Sequence, residues 1–69
     1  MTPEEYIQQL EKFAVEGEAD QLLEFAMEHG PGLQESMTRE QRHQASTLAE
    51  WAIMYVDLRD AEQEHASSA

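Results

Sequence analysis

The chain of 69 residues contains no cysteine, only three glycines and two prolines, and no extended apolar run. Without cysteine no disulfide can stabilise this small domain, and the composition is compatible with a reducing cytoplasm. No stretch approaches the roughly 20 apolar residues that a membrane-spanning helix needs. The N-terminus also lacks the basic and apolar regions of a signal peptide. We therefore expect a cytoplasmic protein without a membrane segment.

Basic side chains are also scarce, since 4 Lys and Arg residues stand against 15 Asp and Glu residues, for a net charge of −11. Such a surface repels DNA, RNA and anionic lipid, so we expect no direct nucleic-acid or membrane partner. A chain this short buries only about 60% of its extended-chain surface. Small domains often gain stability from a partner chain. The composition favours association with another protein, either a second copy in a homodimer or a basic protein.

The first predicted helix begins at Pro3 and is ended by Gly17. Thr2 is a favourable N-cap, and Glu5, three residues later, completes a capping box. Gly17 suits the left-handed conformation that commonly terminates a helix. Apolar side chains recur on one face of this helix at the spacing typical of packing against a core. They are Tyr6, Ile7, Leu10, Phe13 and Ala14.

The second predicted helix runs from about Glu18 or Ala19 to His29. We expect the segment Gly30-Pro31-Gly32 to stop it, because glycine and proline are the strongest helix breakers. Residues 33–37 then form a connector that includes at most one helical turn. The apolar face of this helix consists of Ala19, Leu22, Leu23 and Ala26, with Phe25 and Met27 at its margins.

The third predicted helix opens at Thr38, where Gln41 completes a second capping box. Neither glycine nor proline occurs after this point, so the helix should reach about Glu64, a length of roughly 39 Å. Residues 66–69 are expected to form a frayed tail. The sequence thus predicts a single all-α domain over residues 1–65. It has two short helices and one long C-terminal helix, an arrangement that dimerisation could complete.

The middle of the third helix is unusually apolar, with nine apolar residues among the eleven from Leu48 to Leu58. An ordinary surface helix carries a narrower apolar stripe, so this segment needs cover on two sides. One side can accept the first two helices. It consists of Leu48, Ala49, Ala52, Tyr55 and Val56.

The other side of this segment forms a short heptad-like seam of Trp51, Met54, Leu58 and Ala61. Two helices half as long cover only part of the third, so we expect an exposed apolar strip that mediates association. The predicted interaction residues are Trp51, Met54, Tyr55 and Leu58. In the alternative arrangement the two short helices straddle the third and bury Trp51 in the core.

Acidic residues follow one face of the second helix, where Asp20, Glu24 and Glu28 are spaced by four. Like charges at this spacing repel one another, and no basic residue lies within the helix. One interpretation is a surface that imitates the charge of nucleic acid and docks on a basic protein. The other is a solvated face that keeps a small protein with exposed apolar surface in solution.

Two Glu-x-x-His pairs, Glu40/His43 and Glu62/His65, each place a carboxylate and an imidazole on one side of a helix, as in di-iron bundles. The segment Arg59-Asp60-Ala61-Glu62-Gln63-Glu64-His65-Ala66 resembles the iron-ligand segment of short encapsulated ferritin-like proteins. That resemblance implies a metal site shared across a dimer. The two pairs are 22 residues apart, roughly 33 Å along one helix, so they do not form one site within a monomer. Solvated surface residues are the other interpretation, and we assign no metal ligand.

No nucleophile elbow or phosphate-binding glycine loop is present, so the sequence predicts no enzymatic activity, no catalytic residue and no cofactor. We expect a non-enzymatic acidic protein-interaction module, such as a small regulator, adaptor or inhibitor. It would associate through the apolar side of the third helix. Two alternatives remain open: an acidic nucleic-acid mimic that inhibits a basic protein, and a ferritin-like metal-binding fragment that uses Glu-x-x-His.

Overall fold

A computed structural model describes the backbone of residues 1–67 and the side chains of residues 1–62. The chain forms three α-helices, α1 (Pro3–Glu16), α2 (Ala19–Leu33) and α3 (Arg39–Ser67), and no strand occurs within residues 1–67. The predicted all-α domain of two short helices and one long helix is confirmed. No helix in the described part of the chain is long and apolar enough to cross a membrane.

The predicted N-caps of α1 and α3 are both present. The Thr38 hydroxyl accepts a hydrogen bond from the Gln41 amide at 3.1 Å, and the Gln41 side chain accepts one from the Thr38 amide at 2.9 Å. This reciprocal pair is a complete capping box. At α1 the Thr2 hydroxyl accepts from the Glu5 amide at 3.2 Å but donates to the Glu5 carboxylate at 3.1 Å. The first box is therefore closed between side chains instead of through the Thr2 amide.

Gly17 ends α1 as predicted, with a left-handed φ of 75°. The Glu18 amide donates to the Phe13 carbonyl at 2.9 Å and the Gly17 amide to the Ala14 carbonyl at 3.1 Å. These two bonds make a Schellman motif, which satisfies carbonyls that the end of the helix leaves without partners. The chain then reverses within two residues, and α2 begins at Ala19.

The prediction that α2 stops at His29 is wrong, because the helix continues through Gly30, Pro31 and Gly32 to Leu33. Proline lacks an N–H and deprives the carbonyl four residues earlier of its helical partner. Here that carbonyl belongs to Met27. Because Met27 is 78% exposed, water can replace the missing donor. Tertiary packing of the last turn of α2 thus overrides the local preference of the sequence.

The core is small and draws on all three helices and on the connector before α3. Its fully buried side chains include Leu10 of α1, Leu22 of α2 and Ala52 of α3. Around them lie partly buried apolar residues, and the Phe25 ring contacts the rings of both Tyr6 and Phe13. The buried set is Tyr6, Ile7, Leu10, Ala19, Leu22, Met37 and Ala52.

The third helix is much longer than the hairpin that packs on it. α3 has 29 residues and α1 has 14, which corresponds to roughly 43 and 21 Å. The molecule is accordingly elongated, at 48 × 18 × 18 Å. α3 is helical through Ser67, three residues beyond the predicted Glu64. Of the tail expected at residues 66–69, residues 68 and 69 lie outside the described part of the chain.

Candidate interaction surface

The middle of α3 carries a group of exposed apolar side chains. Met54 is 62% exposed, Leu58 65% and Tyr55 41%. Trp51 is half-buried, and its ring lies 5.4 Å from that of Tyr55 between centroids. At 100° per residue these four side chains span about 100° of the helix circumference. We call these four residues, Trp51, Met54, Tyr55 and Leu58, the apolar strip.

The two predicted sides of α3 are divided differently in the structure. The sequence assigned Tyr55 both to the side covered by the hairpin and to the predicted interaction residues, and it placed Trp51 on the outer side. In the structure Trp51 packs partly against the core, whereas Tyr55 is exposed. The two rings lie side by side at the border between core and solvent, because i and i+4 positions are neighbours on a helix.

The apolar strip is exposed because α1 is too short to cover it. α1 runs parallel to the first half of α3, since Glu4 lines a groove with Gln41, and Glu11 lines one that extends to Leu48. α1 ends at Glu16, about one and a half turns beyond Glu11. Its cover therefore reaches about the level of residues 52–53 of α3. The side chains of Tyr55 and Leu58 lie past that level.

Val15 is a further exposed apolar residue that the sequence did not single out. It is 87% exposed in the last turn of α1. The only indication of its exposure in the sequence is that Val15 lies outside the apolar face of α1. Ile53 is 49% exposed and lies about 100° around α3 from the buried Ala52, on the side away from the apolar strip.

The predicted acidic residues Asp20, Glu24 and Glu28 are all exposed on α2. They do not form a uniform acidic surface, because the Asp20 carboxylate accepts two hydrogen bonds from the Arg59 guanidinium, at 2.9 and 3.3 Å. This hydrogen bonding lowers the pKa of Asp20. The structure thus supplies from α3 a cation that the sequence of α2 lacks. Glu24 and Glu28 form no ion pair within the described side chains.

The potential metal ligands are not gathered into a site. Glu40 and His43 are both exposed on the first turns of α3. Among residues whose side chains the structure describes, no group of three or more His, Asp or Glu is arranged to hold a metal ion. Glu62 is exposed, and the side chain of His65 lies outside the described residues. Arg59, at the start of the ferritin-like segment, is bound to Asp20.

Comparison of the chain with protein-family models, with curated proteins and with solved structures found no match.

Proposed function

We propose that this protein is a non-enzymatic interaction module that self-associates through the apolar strip of α3. The observation that carries the proposal is the exposure of Met54 and Leu58, at 62% and 65%, beside the rings of Trp51 and Tyr55. Scattered exposed apolar residues are normal on proteins, but a contiguous group on one helix face is typical of an interface. Aromatic residues and methionine are also enriched at interface centres.

The exposed area of the chain is large enough to include an interface with a partner. The molecule exposes 5146 Å², whereas a compact monomer of 7.9 kDa exposes roughly 4,400 Å². The difference of about 700 Å² is close to the roughly 800 Å² that each partner buries in a standard interface. An interface of this size, such as one with a second copy, would bring the exposed area of the elongated chain to that of an ordinary small protein.

The charges along α3 favour an antiparallel pair with two-fold symmetry. Acidic residues Asp57, Asp60 and Glu62 outnumber Arg59 toward its C-terminal end. Parallel copies would bring these acidic ends together, whereas antiparallel copies hold them apart. A two-fold axis between positions 54 and 55 would set Trp51 opposite Leu58 of the second copy and distribute the carboxylates along the dimer. The proposal includes a cytoplasmic location, with which the cysteine-free composition is compatible.

Sedimentation equilibrium over a concentration series tests the proposal. We expect the wild type to shift from monomer to dimer, and Leu58→Asp to weaken the dimer at least about tenfold, because it would bury an unpaired carboxylate. Met27→Asp is the matched control: Met27 is 78% exposed but lies on α2. A wild-type protein that stays monomeric at millimolar concentration contradicts the proposal. So does an equal effect of the two substitutions.

A further inference from the structure

A second feature lies away from the apolar strip, where the end of α2 meets the start of α3. A cavity of about 230 Å³ opens there between the two helices. Its walls are made of small residues, among them Ala26 and Gly30 of α2 and Ala45 and Ala49 of α3. The volume is below the roughly 300–1,000 Å³ of sites for drug-sized ligands, so the cavity suits a smaller molecule.

The Tyr6 side chain of α1 forms part of the cavity lining and is only 3% exposed. Its hydroxyl makes no hydrogen bond with any described residue, and because no fully buried side-chain N or O atom among these residues lacks a partner, the hydroxyl reaches solvent through the cavity. Burial raises the pKa of Tyr6, so the hydroxyl keeps its proton and remains a donor. A donor at the tip of an otherwise buried side chain, open to the cavity, is available to a ligand.

Gly30 explains how the hydroxyl reaches this position. A Cβ atom added at Gly30 would lie 3.0 Å from the Tyr6 hydroxyl oxygen, which is tighter than ordinary packing. The absence of a side chain therefore lets the hydroxyl approach the backbone of α2. This gives a structural reason for Gly30 inside a helix, where glycine otherwise costs about 1 kcal/mol relative to alanine.

Polar side chains complete the lining on the side of α3. Arg42 and Ser46 belong to its first two turns, and Gln34 follows the end of α2. Arg42 forms no ion pair within the described part of the chain, in contrast to Arg59. In a protein of net charge −11, the cavity thus has a local excess of donors, and no carboxylate is among its lining residues.

We propose that this cavity binds a small oxyanion with a short apolar body, held by the Arg42 guanidinium and the Tyr6 hydroxyl. Arginine is suited to this role because its planar fork can donate two parallel hydrogen bonds to a carboxylate or phosphate. The small apolar walls would contact the remainder of the ligand. The shared chemistry is the oxyanion, and a carboxylic acid or a phosphate could supply it. The site is separate from the apolar strip and does not depend on self-association.

Amide chemical shifts in a ¹⁵N-labelled sample, titrated separately with butyrate and with inorganic phosphate, test the proposal. We expect saturable shifts that map to Gly30, Arg42 and Ser46 with at least one probe. Stronger binding of butyrate would identify a carboxylic acid as the ligand class, and stronger binding of phosphate a phosphorylated compound.

Two variants test the assigned residues. Arg42→Gln should weaken binding at least about tenfold, because a charge-assisted hydrogen bond is lost. Tyr6→Phe should weaken it several-fold while the circular dichroism spectrum stays that of the wild type. Arg39→Gln is the matched control. This substitution removes the same charge from the same helical turn, but Arg39 does not line the cavity. No saturable shift with either probe overturns the proposal, and so does an equal loss in Arg39→Gln and Arg42→Gln.

Discussion

The Arg59 guanidinium on α3 holds the Asp20 carboxylate at the start of α2 through two hydrogen bonds, of 2.9 and 3.3 Å. The two residues are 39 positions apart in the sequence. The contact joins the beginning of α2 to the second half of α3 and so marks how far the hairpin extends along the long helix. Both side chains are exposed, so solvent and salt screen the interaction.

The first prediction concerns the pH dependence of this pair. Arg59 lowers the pKa of Asp20 in the folded state, so the stabilisation is present above the unfolded value of about 3.9 and is lost as the pH falls through the lower folded value. Asp20→Asn should therefore lower the melting temperature at pH 7, relative to Glu24→Gln, which removes one charge from the same helix without breaking an ion pair. The difference should disappear well below pH 4. A difference that persists at pH 2 would contradict this account.

The second prediction concerns the start of α3. Thr38→Ala removes a complete capping box and should reduce the free energy of unfolding by about 1 kcal/mol. Thr47→Ala is the comparison, since the Thr47 hydroxyl only donates to the His43 carbonyl within the same exposed helix. That variant should leave stability unchanged or raise it by a few tenths of a kcal/mol, because alanine is the better helix former. Urea denaturation measures the free energy of unfolding of both variants. It separates the effect of losing the cap from the effect of replacing any threonine by alanine.

The third prediction compares two leucines. Leu22 is 0% exposed and Leu58 65%. Leu22→Ala should cost about 2–5 kcal/mol, a large part of the stability of so small a domain, so cooperative thermal unfolding should be lost or strongly shifted. Leu58→Ala should change the melting temperature little when it is measured at micromolar concentration, where association is weak. Equal destabilisation by the two substitutions in dilute solution would show that Leu58 belongs to the monomer core.

The fourth prediction compares two glycines. Gly32 lies within the last turn of α2, and a Cβ added there would meet no atom within 4 Å. Gly32→Ala should raise the free energy of unfolding by roughly 0.5–1 kcal/mol, since alanine loses less conformational entropy in a helix. Gly17→Ala should instead destabilise by roughly 1–2 kcal/mol, because φ is 75° at that position. A destabilising Gly32→Ala would indicate that α2 ends before this residue.

Local signals accounted for most helix boundaries. The threonine caps of α1 and α3 and the left-handed Gly17 are confirmed, because each depends on hydrogen bonds or backbone angles within a few residues. The same local reasoning was wrong at Gly30-Pro31-Gly32. There the sequence predicts a helix stop, but packing of α2 against its neighbours outweighs the loss of one hydrogen bond at Pro31.

The amino-acid sequence by itself determined the helical content, the single long C-terminal helix and the excess of apolar side chains between Leu48 and Leu58, since these depend on periodicity, capping and composition. Only the tertiary structure decided which of those side chains are covered. Trp51 partly joins the core and Tyr55 does not, because α1 ends at Glu16 while α3 continues. Tertiary structure alone also paired Asp20 with Arg59 and placed the Tyr6 hydroxyl in a cavity with Arg42. Contacts between residues far apart in sequence depend on how whole helices pack, which no local pattern specifies.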